Sequence, residues 1–242
     1  MINKQKNTPK NQLVIYGRHA VLSALKNPKR KKIKLLCTKD VADEVRQYNP
    51  QIADRKEIDK LLPPDSVHQG FALICAELEN PSLEDIIDAS KTLDKCHVLI
   101  LDQVTDPQNI GAIIRSAVAF NTLALIVQDK NSPSETGSMA KASAGMIEYL
   151  PIVRVTNLSR AIEKLKDADF WTIGMDGYAK TELANLKKGG KTAIIMGSEG
   201  KGMRRLVEEN CDITIKLPMN EKVESLNVAT AAAIVLYEIN KD

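Results

Sequence analysis

Residues 194–235, IIMGSEGKGMRRLVEENCDITIKLPMNEKVESLNVATAAAIV, constrain the fold more than any other part of the chain. An apolar run of strand length, 193–196, breaks into Gly197-Ser198-Glu199-Gly200-Lys201-Gly202, and a helical segment over 203–209 follows. A glycine-rich loop between strand and helix lets backbone N–H groups approach a ligand closely, because glycine has no Cβ and tolerates positive φ. The order here is G-x-x-G-x-G, not the G-x-G-x-x-G of dinucleotide-binding folds, and no Ser or Thr follows Gly-Lys as in a P-loop, so both standard nucleotide readings fail by position. Farther on, 213–217 reads as a strand ended by Pro218, a polar loop spans 219–224, and Ser225 is the expected N-cap of a terminal helix over 226–239. Asn227 falls in the first turn of that small, apolar helix, where an amide is costly unless it bonds something; simple capping is the alternative role for Ser225 and Asn227.

Upstream of this stretch, strands are expected at 97–102, 123–128, 152–154 and 171–175, with helices over 110–120, 135–144 and 158–167 between them. That alternation implies a parallel sheet covered on both faces, whose ligands bind beyond the carboxyl ends of the strands. Asn109, Glu199, Ser225 and Asn227 all follow expected strands at that end. Arg115 lies six residues past Asn109, about 600° of helical rotation, so the two point about 120° apart on a continuous helix and Asn109 is expected at its N-cap. The first third of the chain reads as a smaller α/β domain: strand 14–16, Gly17-Arg18-His19 leading into helix 20–26, strand 33–37, helices near 41–47 and 56–62, and His68-Gln69-Gly70 before strand 71–76. The division expected is a flexible basic tail (1–12), a first domain (13–79), a linker opened by Asn80-Pro81-Ser82 (80–95) and a second domain (96–242).

The net charge of +3 is unevenly placed. Residues 1–80 hold 15 Lys and Arg against 9 acids, and residues 81–242 hold 19 against 22. Lys29-Arg30-Lys31-Lys32 follows the Asn27-Pro28 turn signal, so four cations are expected to project from a loop; this is either a solvated charge run or a phosphate-binding edge, with Lys4, Lys6 and Lys10 of the tail nearby. No apolar stretch has the length of a membrane span or the form of a signal peptide, and a cytoplasmic location is expected. Cys37, Cys75, Cys96 and Cys211 show no C-x-x-C pairing and read as reduced structural thiols, while His19, His68 and His97 have no ligand spacing, so no metal is expected.

GSEGKGM, LPM and SLNVA in this order, with N-I-G-x-x-x-R-x-x-x-x-F over 109–120, resemble the SpoU/TrmH branch of the SPOUT methyltransferases, RNA 2′-O-methyltransferases. One departure is Asn121, where the family usually has glycine; asparagine also tolerates the left-handed conformation. The resemblance implies a C-terminal α/β domain with a mostly parallel sheet and a deep trefoil knot, and a small N-terminal α/β domain similar to ribosomal protein L30e that binds the substrate. It implies S-adenosylmethionine as cofactor, held by Met196, Gly197, Gly200, Gly202, Leu217, Met219 and Leu226, with Asn109, Arg115, Glu199, Ser225 and Asn227 as the catalytic set. VIYGRHAVLSAL and VHQGFAL are similar to the ends of the family's substrate domain, making Arg18, His19, His68 and Gln69 candidate RNA contacts, with turn and cap chemistry as their alternative, alongside the Lys29, Arg30, Lys31 and Lys32 of the charge run. KASAGMIEYLPIVRVTNLSRA resembles in particular the enzymes that methylate a guanosine of large-subunit (23S) ribosomal RNA. A tRNA ribose methyltransferase and a non-catalytic RNA-binding member are the other readings. A homodimer through the catalytic domain is also implied, the Ala-rich terminal helix offering a close-packing face.

Overall fold

The computed structural model describes residues 12–186 and 189–241; the expected tail, apart from Gln12, lies outside them. The chain divides into two compact units, one formed by residues 1–79 with Ser134–Glu148, the other by Asn80–Pro133 with Tyr149–Asp242.

The first unit contains β1 (Gln12–Tyr16), α1 (Arg18–Lys26), β2 (Lys32–Cys37), α2 (Ala42–Val45), β3 (Gln51–Ile52), α3 (Arg55–Asp59) and β4 (Phe71–Ala76). They build a four-stranded sheet of order β1-β4-β2-β3, in which β4 runs antiparallel to β1 and β2 while β2 and β3 are parallel. Ile15, Val21, Ile58, Phe71 and Leu73 are buried in its core. The helix expected near 41–47 is only one α turn flanked by 3-10 turns, and Asn49 stops it in a left-handed conformation at φ 51°. A capping box between Asp54 and Glu57 starts α3.

The second unit opens with α4 (Leu83–Ser90), started by the Ser82–Asp85 capping box, and continues through β5 (Cys96–Leu101), α5 (Pro107–Ala119) and β6 (Ala124–Gln128). The chain then supplies the first unit with Ser134–Glu148, including α6 (Gly137–Ala142), a helix expected to belong with the sheet on either side of it. Back in the second unit come β7 (Ile152–Val155), α7 (Leu158–Asp167), β8 (Phe170–Met175), β9 (Thr181–Glu182), β10 (Lys191–Met196), α8 (Arg205–Glu208), β11 (Ile213–Lys216) and α9 (Val228–Asn240). The sheet order is β7-β6-β5-β10-β8-β11-β9, and each of these pairings is parallel. Every residue of β5 is buried, as a central strand covered on both faces requires. Val98, Ile100, Ile126, Val153, Ile162, Leu165 and Ile195 form one continuous apolar core.

Two helix starts differ from expectation. Asp106 caps α5 through Gln108 N, with Pro107 as the first helical residue, so Asn109 lies inside the first turn and not at the cap. Asn227, not Ser225, caps α9: its Oδ1 accepts from Ala229 N and Thr230 N at 3.0 and 3.3 Å. Asn121, which closes α5, has the left-handed φ of 57° that its side chain tolerates. No helix among the described residues is long and apolar enough to cross a membrane, and no cluster of His, Cys, Asp and Glu among them could hold a metal ion.

Candidate active site

β5 and β10 run side by side in register, Leu101 opposite Met196, so the chain leaves both strands at one point of the sheet edge. After Met196 the glycine loop folds back on itself, with Ser198 N donating to Gly202 O at 3.1 Å and Gly202 N to Ser198 O at 3.0 Å. Position 197 must be glycine for this turn, because a Cβ there would lie 2.2 Å from the carbonyl carbon of Gly202. Gly200 and Gly202 have φ of 77° and 65°, with open space where a Cβ would stand.

Glu199, carried by this loop, meets residues from two other segments. Its Oε1 accepts from Asn227 Nδ2 at 2.8 Å, from Val228 N at 3.0 Å and from Asn109 Nδ2 at 3.2 Å. Asn227 Nδ2 also donates to Asn109 Oδ1 at 2.9 Å, closing a three-membered ring of side chains. The carboxylate thus sits on the N-terminal end of α9, where unpaired N–H groups and the helix dipole favour negative charge. Residues 109, 199 and 227 follow three different strands, so only the folded sheet brings them together.

A second carboxylate joins the two ends of the glycine loop. Asp102, fully buried after β5, accepts from Arg204 N and Arg204 Nε, each at 2.8 Å, and its own N–H donates to Met196 O at 2.8 Å. Neither Asp102 nor Arg204 was expected in the site. The legible signal is an acid directly after the apolar run VLIL, because a buried carboxylate demands a partner.

Residues 97–237 match the model of the SpoU rRNA methylase family, and residues 14–81 match that for RNA 2′-O ribose methyltransferase substrate binding. Over 236 residues the chain is 36% identical to YacO of Bacillus subtilis (strain 168), a protein assigned by name to the TrmH family of tRNA/rRNA methyltransferases, covering 93% of this chain and 94% of that one. The chain belongs to the SpoU family of RNA methyltransferases. Among solved structures, the SpoU methyltransferase AviRb from Streptomyces viridochromogenes, crystallised with AdoMet, superposes with a TM-score of 0.80 at 22% identity, over 96% of this chain and 90% of that one. The AdoMet-bound rRNA methyltransferase from Sinorhizobium meliloti gives 0.79 at 21% identity, over 96% and 87%.

Against the SpoU motif set, Asn109, Glu199 and Asn227 form one cluster, whereas Arg115 stands about 9 Å farther along α5, exposed and with no hydrogen bond to the three. Ser225 is exposed in the approach to α9 and does not bond the cluster. Met196 ends β10 and is buried; Leu217 and Met219 follow β11, half-buried and exposed; Leu226 is half-buried beside Asn227.

The expected RNA contacts separate into three groups. Lys29, Lys31 and Lys32 are exposed, Lys32 Nζ donating to Asn27 O at 2.7 Å, and His19 is exposed at the start of α1. Arg18 is exposed but pairs with Glu44 at 2.7 Å, while Gln69 Oε1 accepts from Arg18 N and so caps α1 from another loop. Arg30 and His68 do not project at all. His68 is buried, its Nδ1 accepting from Gly70 N at 3.0 Å and its Nε2 3.3 Å from Asp59 Oδ1, which is turn chemistry. Arg30 is buried against Glu135 and Glu148, its Nη2 lying 2.5 and 2.6 Å from their oxygens, and Nη1 donates to Ala76 O at 2.9 Å. Burial pulls against its charge, yet the hydrogen bonds and charges of Glu135 and Glu148 outweigh that pull and raise the guanidinium above its ordinary pKa.

Proposed function

We propose that this chain transfers the methyl group of S-adenosylmethionine to a ribose 2′-hydroxyl of RNA, on a guanosine of large-subunit ribosomal RNA. The observation that carries the reading is the convergence of Asn109, Glu199 and Asn227 from three strand ends beside an open glycine loop. Likeness to the S. meliloti rRNA methyltransferase over 96% of the chain supports ribosomal RNA, and the run KASAGMIEYLPIVRV supports guanosine.

The loop fits the cofactor: Gly200 and Gly202 leave room for a ligand against the backbone, and the apolar Met196, Leu217, Met219 and Leu226 border the same strand ends. S-adenosylmethionine, when bound, supplies a methyl group on a positively charged sulfur. The protein's part is to hold the 2′-oxygen in line and stabilise the charge it develops as its proton leaves. Glu199 fixes the two asparagine amides, which position ribose and cofactor, and Ser225 contributes its hydroxyl beside them. Arg115 faces the 2′-oxygen as an electrostatic partner of the oxyanion, since a guanidinium with a pKa above about 12 is a poor base.

The substrate-binding part is residues 13–79 together with Ser134–Glu148, presenting Arg18, His19, Gln69, Lys29, Lys31 and Lys32 to RNA, and the rest of the chain from Asn80 on is the methyltransferase part. Exposed Ile234 and Tyr237 on α9, with Tyr237 5.9 Å from the Phe120 ring, form the apolar face of an isologous homodimer. The enzyme works in the cytoplasm. Incubating the protein with labelled S-adenosylmethionine and total RNA, then separating ribosomal from transfer RNA, tests the whole reading. Label in 2′-O-methylguanosine of large-subunit RNA is expected; label in tRNA alone would replace the substrate, and no label would overturn the activity.

A further inference from the structure

The glycine loop enters at Met196 and leaves at Arg204, and one residue outside the loop holds both ends. Asp102 donates its backbone N–H to Met196 O at the entry; at the exit its Oδ2 accepts from Arg204 N and its Oδ1 from Arg204 Nε, with Arg204 Nη2 2.7 Å from that Oδ1. Its side chain is fully buried and that of Arg204 is partly exposed. A buried ion pair is weak support for stability, since apolar residues of similar volume often serve as well, so its place at the neck of this loop points to geometry. Between the two ends, the reciprocal Ser198–Gly202 bonds close the turn that presents Glu199 to Asn109 and Asn227.

We propose that Asp102 is a positioning residue, clamping Met196 to Arg204 so that the glycine loop is held in its ligand-binding shape before the ligand arrives. The inference rests on the reading of this loop as the S-adenosylmethionine site. Preorganisation of this kind acts on binding: a loop that must first be ordered binds more weakly but reacts equally well once filled.

The variants are Arg204→Ala, which removes the guanidinium but leaves the Asp102–Arg204 N bond, Arg204→Lys, which restores one cationic donor, and Asp102→Asn, which puts an amide N–H₂ against one of Arg204's donors. Calorimetric titration of each with S-adenosylmethionine, and steady-state kinetics with RNA, give affinity and the split between KM and kcat. Arg204→Ala is expected to weaken cofactor binding and raise its KM by about tenfold, through the loss of both guanidinium contacts to Asp102, with kcat within about twofold. Arg204→Lys should recover part of that loss and Asp102→Asn should exceed it. Unchanged cofactor affinity in the folded variants, or a fall in kcat that tracks the folded fraction at constant affinity, would overturn the clamp. Hydrogen exchange of residues 197–203 in ligand-free protein decides the same point without the cofactor: faster exchange in Arg204→Ala supports the clamp and unchanged exchange refutes it. If wild-type protein fails to bind S-adenosylmethionine, the cofactor reading falls, and the exchange result still judges Asp102.

Discussion

Asn227 does two jobs with opposite ends of one amide. Its oxygen caps α9 and its nitrogen ties Asn109 to Glu199, so helix stability and site geometry can be separated by mutation. Asn227→Ala should cost about 1 kcal/mol of stability through the lost cap, whereas Asn227→Ser should keep most of it. Both should lose methyl transfer, so melting temperature and activity measured together on the pair should dissociate; activity in the Ser variant would show that the nitrogen bridge is dispensable. Arg115, outside that ring, is tested differently: Arg115→Ala and Arg115→Lys should each abolish transfer while leaving cofactor affinity within about a few-fold, because a point charge does not reproduce the planar fork. Near wild-type turnover in either variant removes Arg115 from the mechanism. His97, in β5, is buried with its Nε2 lacking a hydrogen-bond partner, and burial holds its pKa below the ordinary value. Below about pH 6.5 the unfolded chain therefore takes up a proton that the folded chain resists, and stability falls as the pH drops. Denaturant melts of His97→Gln should show a shallower loss between about pH 6.5 and 5 than wild type.

Strands and helices were legible wherever one periodic pattern filled a segment, as in β5, β6, β10 and α7, because burial on a sheet or helix face writes itself into local spacing. Boundaries failed where neighbouring residues competed for the same role. Asp106 with Pro107 displaced Asn109 as the cap of α5, and Asn227, two residues past the expected cap, displaced Ser225. Asn109, Glu199 and Asn227 were legible as residue types at strand ends, but their ring of hydrogen bonds spans as many as 118 positions of sequence and has no local trace. Arg30 is the clearest misreading. Within KRKK it looks like its neighbours, yet its partners stand 105 and 118 residues away, on the stretch that carries α6. Arg30→Ala leaves two carboxylates buried without their cation and should cost about 3 kcal/mol in urea unfolding of the full chain. Lys29→Ala, exposed beside it, should change stability by no more than about 0.5 kcal/mol. Equal effects would mean that the buried network is energetically idle.

At the scale of the molecule, the interleaved units change what truncation can test. Removing residues 1–79 also strands Ser134–Glu148, whose Glu135 and Glu148 then lose Arg30. A chain lacking 1–79 alone should be less soluble and melt lower than one lacking both 1–79 and 134–148 with a short linker in the gap; the reverse order of melting temperatures would show that the segment stands without the first unit. For the full chain, replacing Lys29, Lys31 and Lys32 with Ala should reduce the salt slope of RNA binding by about two, at roughly 0.7 per lost phosphate contact, and an unchanged slope would leave those lysines as a solvated face. The position of β10 adds a matter of timing. It lies between β5 and β8, yet it follows both in the chain, and its first pair joins Lys191 to Cys96. During synthesis, β5, β6, β7 and β8 all leave the ribosome while the slot between β5 and β8 stands empty, presenting two apolar strand edges that have no partner yet. For those moments the nascent chain resembles a sheet torn down the middle, open to mispairing with other chains, and it is the arrival of β10 that ends its vulnerability.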